Sequence, residues 1–290
     1  MEIVVGKTAG FCYGVKRAVD GSIQQAQNHE NLYCLGDLVH NKQVIESLEK
    51  KGIEFVNDIE KIKNSKVIIR AHGESKEVYE NAYKNNIEII DYTCPNVLKI
   101  HDIAKEYKDK GFYIFLCGKK DHPENIGTIS YCGKNYSVIN SEEEFDLALE
   151  EFKKSNIEKL LLISQTTYSI EKFHKIEEKI KKELINNEEI VIKNTICRAT
   201  ELRQIETEKL SKEVEYMIIS GGKNSSNTMK LYEIAKRNCP KSICIETSDE
   251  LSVDSLKNYE KIGVMAGAST PMESINNVVK KIQDKNEILL

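Results

Sequence analysis

Three cysteines in this chain close nearly the same phrase. EIVVGKTAGFC runs from Glu2 to Cys12, EIIDYTC from Glu88 to Cys94 and EIVIKNTIC from Glu189 to Cys197. Each has an acidic residue, an apolar run, a threonine and a closing thiol. A single cysteine is most often a small buried residue. A thiol repeated at one place in three similar segments points instead to a shared metal group. Structural zinc takes four closed ligands, commonly through a CxxC pair, and the chain has no CxxC. Electron-transfer iron–sulfur clusters usually take four cysteines. Three thiolates would leave one iron of a cubane open to a substrate oxygen, a Lewis-acid position beside a source of electrons. The pattern fits a catalytic cluster better than an electron wire.

Other chemistry-bearing residues lie in polar loops after apolar runs. GDLVHN carries His40, IIRAHGES carries His72 and LCGKKDHPENIGT carries His122 and Glu124. LISQTT offers Gln165, Thr166 and Thr167; IISGGKNSSN offers Ser225, Ser226 and Asn227; MAGASTP offers Ser269. A lone histidine or serine at a loop is commonly structural, but this many donors at corresponding places suggest a small phosphorylated ligand. Backbone N–H groups and hydroxyls of a glycine-rich turn can cradle phosphate oxygens. No GxxxxGK[ST] or GxGxxG is present, so neither a Walker site nor a dinucleotide site is expected. Glu124, next but one to His122, is the candidate proton donor, relayed through Thr166. His29, His101 and His174 are expected at the surface. Cys34, Cys117 and Cys244 lie in strand-like runs and read as core filler, and Cys132 and Cys239 carry no assignment.

These residues need elements to hold them. Short apolar runs read as strands at 3–5, 32–35, 67–69, 87–90, 112–116, 160–163, 190–192, 217–219, 243–245 and 262–265. Amphipathic stretches between them, such as Val15, Ala18, Val19, Ile23 and Ala26, have helical spacing. Alternating strand and helix gives parallel sheets with crossover helices, and ligands collect at the carboxyl ends of such strands. The repeat suggests three α/β domains: 13–94, 95–193, and 1–12 joined to 194–281. The first strand completes the last sheet, and 282–290 forms a C-terminal tail.

Composition is that of a soluble globular protein, with 40% hydrophobic and 30% charged residues over 290 positions. A net charge of −4 gives no global attraction to nucleic acid or to an anionic membrane. No run approaches the ~20 apolar residues of a membrane span. The stretch MEIVVGKTAG lacks the features of a signal peptide, so a cytoplasmic location is expected. Eight cysteines in that compartment are not expected to form a disulfide framework.

Taken together, GFCYGVKRA, LVHN, RAHG, TCP, HPE, SQTT, NTIC with ATELRQ, GGKNSSNT and GASTP resemble the 4-hydroxy-3-methylbut-2-enyl diphosphate reductase (LytB) family. The resemblance covers nearly the whole chain in order. It implies three pseudo-threefold-related α/β domains with small, mostly parallel sheets around a central [4Fe–4S] cluster held by Cys12, Cys94 and Cys197. It implies a diphosphate pocket of His40, His72, His122, Ser225, Ser226, Asn227 and Ser269, with Gln165, Thr166 and Thr167 beside it. Glu124, Thr166 and His122 would be catalytic. The implied reaction removes the substrate's C4 hydroxyl as water with two electrons and two protons, the electrons coming from ferredoxin or flavodoxin. The chain departs from the family pattern at Asp121, Asn125 and Tyr92, none of them a matched functional position. The alternative activity is a non-redox lyase or dehydratase with a three-cysteine cubane, of the quinolinate-synthase type.

Overall fold

Twelve strands alternate with ten helices among the described residues and pair into three four-stranded sheets, every pairing parallel. The computed structural model describes residues 1–62, 65–184 and 189–287. In chain order the strands are β1 (Glu2–Val5), β2 (Leu32–Leu35), β3 (Ile53–Val56), β4 (Lys66–Ile69), β5 (Glu88–Asp91), β6 (Tyr113–Cys117), β7 (Tyr136–Ile139), β8 (Lys159–Ser164), β9 (Glu189–Ile192), β10 (Tyr216–Ser220), β11 (Ser242–Ile245) and β12 (Lys261–Ala266). The sheet orders are β3-β2-β4-β5, β7-β6-β8-β9 and, read the same way, β11-β10-β12-β1. Each is the same arrangement: the first strand of a copy lies inside beside the third, the second forms one edge and the fourth forms the other. The N-terminal strand β1 completes the last sheet, as its sequence phrase suggested.

The helices are α1 (Tyr13–Asn28), α2 (Lys42–Glu49), α3 (Lys76–Lys84), α4 (Pro95–Asp109), α5 (Pro123–Cys132), α6 (Glu142–Lys154), α7 (Ile170–Glu183), α8 (Arg198–Glu213), α9 (Ser226–Asn238) and α10 (Met272–Glu287). Chain contacts divide the protein into two compact units. One comprises Met1–Lys16, Val39–Lys50 and Arg198–Leu290, and holds the β11-β10-β12-β1 sheet; the other comprises Arg17–Leu38 and Lys51–Cys197, and holds the remaining two sheets.

Inner strands are covered by helices on both faces, which is why YIFLC, LLLIS and YMIIS are buried along their length. Around β6 and β8, the rings of Phe115, Phe145 and Phe152 meet edge to face at 6.1–6.3 Å. Burying each contributes roughly 1.5–3 kcal/mol. Ten apolar runs were expected as strands; β3 and β7 are the two beyond them. Both are outer edges and only part-buried, so IEFV and YSVI are broken by Glu54 and Ser137 and give no continuous apolar signal. The expected C-terminal tail is also corrected: α10 continues to Glu287, with Ile275, Val278 and Ile282 packed into a core. Residues 288–290 of that tail lie outside the described residues.

Candidate active site

The site begins with one hydrogen bond made three times. Each candidate ligand cysteine follows the edge strand that ends its copy. Its peptide N–H donates to a carbonyl in the loop after the neighbouring strand: Cys12 to Ala268 at 3.1 Å, Cys94 to Ala71 at 3.0 Å and Cys197 to Thr166 at 3.0 Å. Parallel pairing carries these loops out of the sheet side by side, so each bond ties two loops together beyond the ends of their strands. The next residue after each acceptor is a candidate substrate ligand: Ser269, His72 and Thr167. The three cysteines are half-buried. The remaining five contrast with them. Cys34, Cys117, Cys132 and Cys239 are buried, and burial pushes the Cys34 and Cys117 thiols far up and that of Cys132 up to about 12. Cys244, half-buried rather than core, is raised by burial to about 11.

In the unit holding two sheets, α5 and the loop after β8 build a carboxyl site. His122 caps α5, its Nδ1 accepting from the Glu124 N–H at 3.2 Å, and Pro123 occupies the first turn. This puts Glu124 on the buried face at 2% exposure. Its two carboxyl oxygens accept from the Thr166 N–H and from Thr166 Oγ1, both at 2.6 Å. Burial lifts the acid to about 7 against the opposing pull of those two bonds. A carboxyl that keeps its proton near neutrality, bonded to a hydroxyl, is a general acid in waiting. The His72 ring stands edge-on to His122, centroids 5.5 Å apart.

Gln165 and Asn125 stiffen the same loop. Asn125, fully buried, donates to the Lys119 carbonyl at 2.7 Å and to Gln165 Oε1 at 3.0 Å. Gln165 Nε2 donates to Thr167 Oγ1 at 2.7 Å. The departure at Asn125 is thus an internal strut. Thr195, of the NTIC phrase, ties the loop before Cys197 back to Ser164, accepting its N–H at 2.7 Å and donating to its carbonyl at 2.6 Å.

In the other unit, the loops after β10 and β12 face the start of α2. Ser269 Oγ donates to the His40 carbonyl at 3.0 Å, and Asn41 caps α2 through Val44 N–H. Gly222 is required here, since a Cβ on it would lie 2.5 Å from the His40 carbonyl oxygen. Ser225 caps α9, its hydroxyl accepting from Thr228 N–H at 3.3 Å, which leaves the hydroxyl proton available to an anion. Ser226 begins α9 and is half-buried. Asn227 is 3% exposed, and neither polar atom of its amide has a hydrogen-bond partner among the described residues. A buried amide with both ends unspent beside a helix N-terminus suits a phosphate oxygen.

One expectation is corrected, and one residue emerges only from the fold. His101 is not at the surface: it is 3% exposed, stacked on Tyr131 at 4.5 Å, and burial lowers its pKa to about 4. Glu206, on α8, drew no notice from its type or spacing, yet it accepts from the Lys7 and Thr8 N–H groups at 2.7 and 2.8 Å in the loop that leads to Cys12. Only the tertiary contact distinguishes it from any helical glutamate.

A family model described as LytB protein matches residues 3–283. The chain is 40% identical over 288 residues to a protein of Thermoanaerobacter sp. (strain X514) named 4-hydroxy-3-methylbut-2-enyl diphosphate reductase, with 98% of this chain and 97% of that one covered. It is 41% identical over 286 residues to a protein of the same name from Clostridioides difficile (strain 630), covering 98% and 100%. It is also similar to a solved structure of (E)-4-hydroxy-3-methyl-but-2-enyl diphosphate reductase, described as the terminal enzyme of the non-mevalonate pathway. That match has a TM-score of 0.71 and 36% identity over 98% of this chain and 100% of that one. A Plasmodium falciparum E-1-hydroxy-2-methyl-but-2-enyl-4-diphosphate reductase matches with a TM-score of 0.88 and 30% identity, covering 96% of this chain and 86% of the other. Nothing in these matches favours the non-redox lyase.

Proposed function

The chain belongs to the LytB protein family, and from that membership we propose that it reduces 4-hydroxy-3-methylbut-2-enyl diphosphate to isopentenyl and dimethylallyl diphosphate. The substrate hydroxyl leaves as water, with two electrons and two protons consumed, in the last step of the non-mevalonate isoprenoid pathway. The observation that carries this reading is the Glu124–Thr166 pair: a buried acid on α5, held near neutral pKa and bonded to the loop residue whose carbonyl accepts the Cys197 N–H.

Three half-buried thiols in equivalent, anchored loops form a donor set that suits a [4Fe–4S] cluster with one iron lacking a protein ligand. Cys12, Cys94 and Cys197 would hold it. When bound, it supplies reducing electrons and a Lewis-acid position. The chain's own residues do the rest. Glu124 donates a proton through the Thr166 hydroxyl to the departing oxygen, and His122 orients Glu124 by capping the first turn of α5. Ser225, Ser226, Asn227 and Ser269, with His40, His72 and His122, bind the diphosphate; Gln165 and Thr167 shape the adjacent loop. Remote binding of the diphosphate positions the carbon chain for protonation. Each sheet with its helices forms one domain in this reading, electrons arrive from ferredoxin or flavodoxin, and the enzyme works in the cytoplasm. Among the described residues no helix is long and apolar enough to cross a membrane.

The test is turnover of the hydroxylated diphosphate by anaerobically purified protein with a dithionite-reduced mediator. Isopentenyl products that require the reductant support the reading. An intact cluster with no turnover overturns it, and turnover without reductant would point to the lyase.

A further inference from the structure

Each candidate ligand loop is gripped by the helix that opens its own copy. The loop before Cys94 is held by Arg17 of α1, whose Nη1 donates to the Thr93 carbonyl at 3.1 Å and Nη2 to the Asp91 carbonyl at 3.3 Å. The same guanidinium lies over the Tyr92 ring, 5.5 Å from its centroid, and Tyr92 packs where Gly21 lacks a side chain: a Cβ there would sit 2.4 Å from the ring. The Cys197 sulfur accepts from Asn96 Nδ2 of α4 at 3.2 Å. The loop before Cys12 is held by two residues of α8. Buried Arg203 donates from Nη2 to the Gly10 carbonyl at 2.7 Å, and Glu206 takes the Lys7 and Thr8 N–H groups and the Thr8 hydroxyl. Partial burial raises the Glu206 acid, but the bonds from Thr8 and Lys7 outweigh it and hold the carboxyl below its ordinary range.

The connectivity behind these grips is regular. Helix α1 is the helix that follows Cys12, α4 follows Cys94 and α8 follows Cys197. The helix leaving one cysteine holds the loop of another in all three cases. Charged donors to carbonyls, and a carboxylate on three donors, are stronger than neutral hydrogen bonds. At Cys94 and Cys12 they act one to five residues upstream of the thiol, and at Cys197 the Asn96 amide meets the sulfur itself; each cysteine N–H is already fixed, so every thiol has two anchors. Groups of this kind, which orient ligand residues without themselves binding the metal, commonly govern affinity and electronic character.

We propose that the helix following each candidate ligand cysteine positions a different one, making Arg17, Asn96 and the Arg203–Glu206 pair positioning residues for Cys94, Cys197 and Cys12 respectively. The proposal rests on the reading of these cysteines as cluster ligands. Its test separates the two. Full-length chain stripped of iron under anaerobic reducing conditions is treated with iodoacetamide, and alkylation of each cysteine is followed by peptide mass spectrometry. Arg203→Met should raise the Cys12 rate about tenfold, the equivalent of ~1.4 kcal/mol, with Cys94 and Cys197 unchanged. Arg17→Met should act on Cys94 alone and Asn96→Leu on Cys197 alone, and Arg203→Lys should restore much of the Cys12 protection. Should Arg203→Met fail to fold, Glu206→Gln carries the same prediction for Cys12. A uniform rise at all three thiols, a rise at the cysteine preceding the altered helix, or no change overturns the proposal. The crosswise pattern in a chain that takes up no iron on reconstitution supports the positioning and sinks the ligand reading. Iron uptake without the pattern does the reverse.

Discussion

Ala71 and Thr166 occupy the same place in two copies of one sheet. Each follows the third strand of its copy, and each gives its carbonyl to the N–H of the cysteine that ends the copy. At Ala71 the side chain adds nothing further. At Thr166 the N–H and hydroxyl engage a buried carboxyl held near neutrality. The repeat supplies a backbone frame that tolerates any residue at this point, because the anchoring uses only main-chain atoms. Chemistry enters by changing one side chain in one copy and placing Glu124 opposite it. In the proposed mechanism the copy ending at Cys94 binds substrate through His72, and the copy ending at Cys197 protonates it.

What the two copies share should break with the largest effect. Cys94→Ser and Cys197→Ser should each lose the cluster and reduce turnover to background, checked by iron content and product formation, while buried Cys34→Ser keeps both. Next comes what only one copy has. Glu124→Gln should retain iron and substrate affinity but lower kcat by roughly 10²–10⁴, because an amide cannot donate a comparable proton. Thr166→Ala makes the second copy resemble the first. It should cost about 10²-fold in kcat with iron content unchanged, since the Cys197 bond uses the backbone. Ala71→Ser should leave kcat near that of the parent, and a comparable loss there would break the comparison. His72→Ala should raise the substrate Kd about tenfold with kcat nearly kept, measured by titration calorimetry.

The smallest effect is a stability slope. The Glu124 acid titrates at 4.5 ordinarily and near 7 when folded. Between those values the folded chain holds a proton that the unfolded chain has lost, so stability falls as pH rises through the window and levels off above it. Denaturant titration of the cluster-free chain should show a fall of at most about 1.4 kcal/mol per pH unit, absent in Glu124→Gln. Turnover should decline above about pH 7 for the same group.

Much of this was legible in the residues. Inner strands announced themselves because burial on both faces demands continuous apolar runs. The edges β3 and β7 did not, since Glu54 and Ser137 interrupt runs of only four residues. The cysteine repeat and the donor loops stood out by position. His101 did not, because helical spacing cannot distinguish a satisfied buried ring from an exposed one, and Arg17, Asn96, Arg203 and Glu206 looked like ordinary helix residues. The threonines of the three phrases looked alike yet differ: Thr195 ties its loop to Ser164, Thr8 meets Glu206, and Thr93 offers its carbonyl to Arg17.

By itself the sequence determined the α/β alternation, the three thiols at copy ends and the composition of the donor loops, since periodicity and residue type are local properties of the chain. Tertiary structure alone decided that Glu124 is buried against Thr166, that Asn227 is left with an unspent amide and that the helix opening each copy holds the cysteine loop that ends it. Each of those depends on segments distant along the chain meeting away from water, where desolvation and hydrogen-bond geometry set the charge state and the position of a group.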